Sequence, residues 1–273
     1  MKPTLIAYNI TMNTSTLLAN NGMPATGSFE FILLVVSTIL ILPAILFALY
    51  AQFSVMTNFS RYQNELSTSG MTGATAARLL LDQNGCGHVN VEHTRGHLSD
   101  HYDPRKKVVR LSDSVYNSSS IAALGVAAHE VGHAIQDHTG YPPLKIRQLV
   151  IRTTRLVNFV LLPLIIVGFL GMFLFPFFIS ESFFFYFVLA LAIMYGISFL
   201  INLITVPTEF DASRRAKRIL HDANIITCQD EKDGVRRVLR AAALTYVASL
   251  IVSLVYFLRF LAMLLIISGN RRN

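Results

Sequence analysis

Five consecutive residues, His129-Glu130-Val131-Gly132-His133, carry the clearest chemical signal in the chain. Residues four apart share one face of a helix, so His129 and His133 can converge on a single ion. Glu130, offset by about 100 degrees, reaches a water held by that ion. Zinc lowers the pKa of such a water toward about 7, and the glutamate takes its proton as the hydroxide attacks a carbonyl. The chemistry is hydrolysis, with His129 and His133 as zinc ligands and Glu130 as general base. Val126, Ala127, Ala128, Ala134 and Ile135 flank the motif with small or apolar side chains, which marks a packed helix rather than a solvated one.

A catalytic zinc takes a third protein ligand and keeps a fourth position open. A metzincin-type HExxHxxGxxH is excluded, because Gln136 stands at the glycine position and Thr139 at the last histidine. His138 lies nine residues from His129 and points to roughly the opposite side of a continuous helix, which suits a surface or supporting role. A distant carboxylate is the alternative. Glu209 is the best placed, with Asp211 as runner-up and an acidic pair bridged to Arg214, Arg215 and Arg218 as the bland reading.

The elements that must position these residues belong to a membrane protein. The chain of 273 residues is 53% hydrophobic and 14% charged, too apolar for an ordinary soluble domain. A crossing helix needs about 20 apolar residues, and four runs qualify. The expected organisation is a polar leader over 1–28, a retained transmembrane anchor over 29–53 and a catalytic segment over 54–155. A transmembrane hairpin over 156–206, a segment carrying the third ligand over 207–240 and a final span over 241–268 follow. Arg259 inside the last run needs to snorkel or to find a partner. Because a two-span hairpin separates His133 from Glu209, both return to the same side of the membrane.

Of the 23 lysines and arginines, eleven lie between the first two spans and eight between the last two, whereas only Lys2 precedes the first. That asymmetry places both polar segments in the cytoplasm of a multi-pass protein of the cell (plasma or inner) membrane. The net charge of +7 comes with no aromatic-interleaved basic motif, so no nucleic-acid partner is expected. The partners are the bilayer and a peptide or protein substrate. Cys86 and Cys228 have neither disulfide-framework nor metal-ligand spacing.

Within the catalytic segment a helix is expected over Gly73–Asp82, strands at Val89–Val91 and Lys107–Leu111, and a helix from Ser118–Ser120 to a stop at Gly140. Thr208–Leu220 also has helical spacing. The fold class is mainly α: a polytopic helical membrane protein with a small zincin-like α+β catalytic part. A substrate strand paired along Val108–Leu111 and carbonyl-oxygen donors among His97, His101, Tyr102 and Arg214 complete the expected site.

The chain resembles the neutral zinc metallopeptidases of bacterial membranes from about residue 54 onward. The resemblance is carried by Met71-Thr72-Gly73, Asp100-His101-Tyr102-Asp103-Pro104-Arg105, Val109-Arg110-Leu111-Ser112, Gly125 through Gln136, Glu209 through Ala216, and Leu239 through Tyr246. It implies a zinc-dependent endopeptidase in the membrane. In the related heat-shock and prenyl-protein membrane zincins the third ligand opens a Glu-Phe-x-Ala-Asp run. Glu209 matches that ligand, while Ser213 replaces the final aspartate, so bracing of a zinc histidine falls to Ser213 or Asp211 or is absent. Residues 1–28 have no counterpart in the resemblance, and Met23 is an alternative start.

The rival class is a non-proteolytic membrane scaffold or holdase stabilised by zinc, which would call for four closed ligands, often thiolates. A metal transporter would need paired ionisable residues within its spans, and these are absent from the sequence. An intramembrane-cleaving protease would carry its motif inside an apolar run, whereas here charged flanks enclose it.

Overall fold

The computed structural model of the chain describes residues 28–174 and 180–270. Residues 1–27 of the expected leader, Met23 among them, lie outside the described residues, as do residues 175–179 of the expected hairpin. Among the described residues, six helices and three strands follow in the order α1 (Phe29–Tyr62), α2 (Gly73–Gln83), β1 (Asn90–His93), β2 (His101–Asp103), β3 (Val108–Leu111), α3 (Ile121–His138), α4 (Pro142–Leu174), α5 (Glu181–Asp222) and α6 (Gln229–Asn270).

Among the described residues three helices, α1, α5 and α6, are long and apolar enough to cross a membrane; α4 contributes a shorter apolar stretch, Phe159–Gly168. The third and fourth expected spans do not stop where their apolar runs stop. Each is one helix of 42 residues that carries the apolar run and the adjoining polar segment together. Helix α5 continues through Pro207, whose missing N–H frees one carbonyl. Thr208 Oγ1 donates to Ile204 O nearby at 3.0 Å.

The chain forms two compact units. One comprises residues 1–45, 156–199 and 252–273. Its described helices leave large apolar side chains exposed, Ile39 at 65%, Phe159 at 78% and Phe173 at 83%, the surface of a protein whose solvent is hydrocarbon. Arg259 finds a partner there, donating from Nη1 to Thr38 Oγ1 at 2.6 Å.

The other unit, residues 46–155 and 200–251, holds the HExxH residues and Glu209. Its sheet has the order β1-β3-β2, with β1 parallel and β2 antiparallel to the central β3. Strand β3 is buried on both faces, and it meets a partner at both edges. The substrate strand expected along Val108–Leu111 therefore has no edge to pair with; the edge left open on that side belongs to β2, which was not anticipated. The β2–β3 turn closes through Asp103 Oδ1, which accepts from Arg105 N and Lys106 N at 3.0 and 3.2 Å.

Helix α3 is the centre of the core. Ser120 caps its first turn, its hydroxyl accepting from Ala123 N at 3.1 Å. Gly140, at φ +67°, ends it with paired bonds, Gly140 N to Asp137 O and Tyr141 N to Gln136 O. Fourteen of its eighteen residues are buried, against Leu80 and Leu81 of α2, Val109 and Leu111 of β3, and Ile219 and Val235 of the last two helices.

Candidate active site

Helices α3 and α5 approach closely because position 132 is glycine: a Cβ there would stand 2.7 Å from Ala212 O. The contact sets Glu209, about one turn before Ala212, against the imidazoles one residue after and three residues before Gly132. Glu209 Oε2 lies 3.1 Å from His129 Nε2 and 3.5 Å from His133 Nε2. One ligand atom from each of the three residues falls within 4.8 Å of the others, and among the described residues this is the one group of at least three such side chains able to hold a metal.

The outer faces of both rings are held. Gln136 directs its Nε2 to Thr208 O at 2.8 Å and to Asp211 Oδ2 at 2.9 Å, so its carbonyl oxygen must be the atom 2.9 Å from His133 Nδ1. His133 therefore donates from Nδ1, and its bare Nε2 faces a carboxylate oxygen. Two electron-rich atoms aimed at each other in a buried site are stable only with a cation or a proton between them. His129 Nδ1 stands 3.2 Å from Ser213 Oγ, the equivalent brace for the other ring.

The local charges favour that cation. Burial alone would lower the His133 pKa, yet Glu209 and Glu130 raise it above the usual histidine value. Burial alone would raise the pKa of Glu209, which is 1% exposed, but the two histidines hold it well below the ordinary carboxylate range. Arg147 of α4 adds an ion pair, its Nη1 2.7 Å from Glu209 Oε1. Two imidazole nitrogens and one carboxylate form a donor set suited to zinc.

These residues are among those that line a cavity of about 530 Å³. Residues 100–105, which include β2, form one wall, and Leu144, Arg147, Gln148 and Tyr246 another. Glu130, though buried, makes no hydrogen bond or ion pair among the described residues, so both its oxygens remain available.

The other expected site residues divide sharply. His101 and Tyr102 line the cavity, with Tyr102 Oη donating to Asp137 Oδ2 at 2.7 Å. Burial and Asp137 push the Tyr102 phenol far above its ordinary pKa, so it remains a proton donor. Asp211 supports Gln136 and accepts from Arg215 Nε at 2.6 Å; it does not join the three-residue group. His97 packs edge-on against Phe59, His138 lies beside His88, and Arg214 lines a different cavity. Arg147, Tyr246 and the bracing part of Gln136 were not anticipated. The one available signal for Gln136 was its place three residues after His133.

A family described as "Putative neutral zinc metallopeptidase" matches residues 37–265. The chain belongs to this family. It is 42% identical over 225 residues, 82% of this chain and 93% of the relative, to a Bacillus subtilis (strain 168) protein called "Putative membrane protease YugP". No solved structure matches the chain.

Proposed function

We propose that this protein is a zinc-dependent membrane endopeptidase in which His129, His133 and Glu209 hold the metal and Glu130 is the general base. The observation that carries the reading is the convergence of two imidazole nitrogens and one buried carboxylate in the lining of an open cavity. When bound, zinc supplies a Lewis acid that acidifies water and polarises a carbonyl. Glu130 accepts the proton of the attacking water and returns it to the departing amine. Ser213 and Gln136 keep the imidazole rings turned toward the site. An extended peptide pairs with the open edge of β2 at His101–Asp103, which brings it along the cavity wall. His101 and Tyr102 lie on that wall, but Tyr102 donates its hydroxyl proton to Asp137 and His101 its Nδ1 proton to Ser99 O, so either reaches a substrate carbonyl oxygen only by giving up that partner.

The zinc-stabilised scaffold is less well supported, because the three donors open onto a cavity rather than being enclosed by a fourth ligand. Four spans with the catalytic segments in the cytoplasm complete the proposal, supported by the distribution of lysine and arginine. Elemental analysis of the full-length chain in mild detergent tests the ligand set. Zinc lost with Glu209→Ala but kept with Asp211→Ala is the expected result, and zinc unchanged without Glu209 refutes it. Glu130→Gln should keep its zinc and lose peptide cleavage; cleavage that persists in that variant removes the general base.

A further inference from the structure

Arg147 stands beside the proposed ligands, and the peptidase reading gives it no part. We propose that it is a positioning residue for Glu209: it occupies one carboxylate oxygen, makes Glu209 a one-oxygen ligand, and so keeps the fourth coordination place open. This role presupposes the ligand set proposed above.

The two oxygens of Glu209 have separate surroundings. Oε2 lies nearest the imidazoles, 3.1 Å from His129 Nε2 and 3.5 Å from His133 Nε2. Oε1 meets Arg147 Nη1 at 2.7 Å. Among the described residues Oε1 accepts no aligned hydrogen bond, so the contact that holds it is one of charge with charge. The carboxylate is 1% exposed, which leaves bulk water little access to replace the guanidinium. Among the described residues Arg147 has no other ion pair.

The cavity lining offers Arg147 three other carboxylates, and it meets none of them. Asp100 accepts from Ser112 N at 2.7 Å and Ser112 Oγ at 2.9 Å, and Asp103 is held by the turn amides and by Arg110. Glu130 is left without an ion pair. The cation is thus directed at the ligand and not at the base. Its placement follows from the corner after the HExxH helix. Tyr141 N bonds Gln136 O across the Gly140 turn, and Leu144 buries its side chain in the first turn of α4. Arg147 follows Leu144 by three residues, on the same face of the helix, and both line the cavity.

A carboxylate with both oxygens free can bind a metal through both. Together with two imidazoles it would then fill the four places of a tetrahedral zinc. Drawing Oε1 onto the metal would take it from the guanidinium and leave that cation unpaired beside a dication, where water screens little. Arg147 therefore selects the one-oxygen mode.

The test loads the purified full-length chain, in mild detergent, with Co²⁺ in place of zinc and records its visible absorption, which is stronger for four-coordinate than for five-coordinate cobalt. The wild type should give the strong four-coordinate bands. Arg147→Met, which keeps the stem and removes the charge, should keep its cobalt and its melting temperature but lose those bands for the weaker five-coordinate ones. Arg147→Lys, which keeps a cation, should stay close to the wild type. A five-coordinate wild type, or four-coordinate bands retained in Arg147→Met, overturns the role. Arg147→Met that loses cobalt together with its melting transition overturns it as well, by marking a residue needed only for folding. Cobalt content unchanged by Glu209→Ala fails the ligand set itself, whereas cobalt lost with Glu209→Ala but spectrally indifferent to Arg147→Met fails only the role of Arg147.

Discussion

Each ring in the proposed zinc site depends on a neutral neighbour. Ser213 faces His129 Nδ1 and Gln136 faces His133 Nδ1, and neither adds charge to a site that already holds Glu130 and Glu209. Removing such a partner leaves the ligand in place but frees its orientation, at a typical cost of about 10–100-fold in metal affinity. Gln136→Ala and Ser213→Ala should each weaken zinc binding by about that factor in competition against a chromogenic chelator. Wild-type affinity in both would show that the rings are oriented by packing alone. The convergence of His129, His133 and Glu209 was legible in the sequence because the histidine spacing is local and Glu209 opens a characteristic run. Gln136 was legible only as a departure from the metzincin pattern, since the partners that give it a role, Thr208 and Asp211, lie 72 and 75 residues away. Arg147 carried no signal at all: it is one of eleven cations in its segment until α4 sets it against Glu209.

Between elements, the closest test is Gly132. A methyl group there must push Ala212 O aside and take Glu209 with it. Gly132→Ala should cost about 1–3 kcal/mol of stability by overpacking, and should lower bound zinc although it alters no ligand. Full zinc content with an unchanged melting temperature would mean that the α3–α5 contact does not set the site. A second link joins the start of α6 to the loop after α1, where Glu231 accepts from Thr68 N. Burial alone would raise the pKa of Glu231, but the hydrogen bonds from Thr68 hold it below its ordinary 4.5. A carboxyl lowered on folding stabilises above its unfolded pKa, and that contribution fades as pH falls through the folded value. Glu231→Gln should therefore melt below the wild type at neutral pH and converge with it below about pH 4.5. A constant difference across that range would refute the link. The helices and β3 were legible from periodicity and caps. Strand β2 was not, because three residues are too few to show alternation and their pairing is set by an edge of β3.

For the molecule as a whole, the orientation proposed from the charge distribution can be read with the two native thiols. Cys228 is exposed in the turn before α6, and Cys86 is buried in the core of the same unit, where burial also raises its pKa. A membrane-impermeant maleimide should label Cys228 in inverted vesicles and not in intact cells, while Cys86 reacts only after denaturation. Labelling of Cys228 from outside the cell would reverse the orientation. Membrane class was legible from composition alone. The division into two units was not, because both units are assembled from segments distant in sequence.

That division has a bearing on when the protein can act. The chain leaves the chemical unit at Arg155 and re-enters it at Leu200, and the carboxylate facing the two histidines comes only after the return. A ribosome adding about 5–20 residues each second needs roughly 4–15 s to pass from His133 to Glu209. During that interval the emerging chain carries HExxH without its third donor. In the proposed mechanism competence thus waits on synthesis of the intervening helices, so a chain stalled before Glu209 lacks one of the three converging donors.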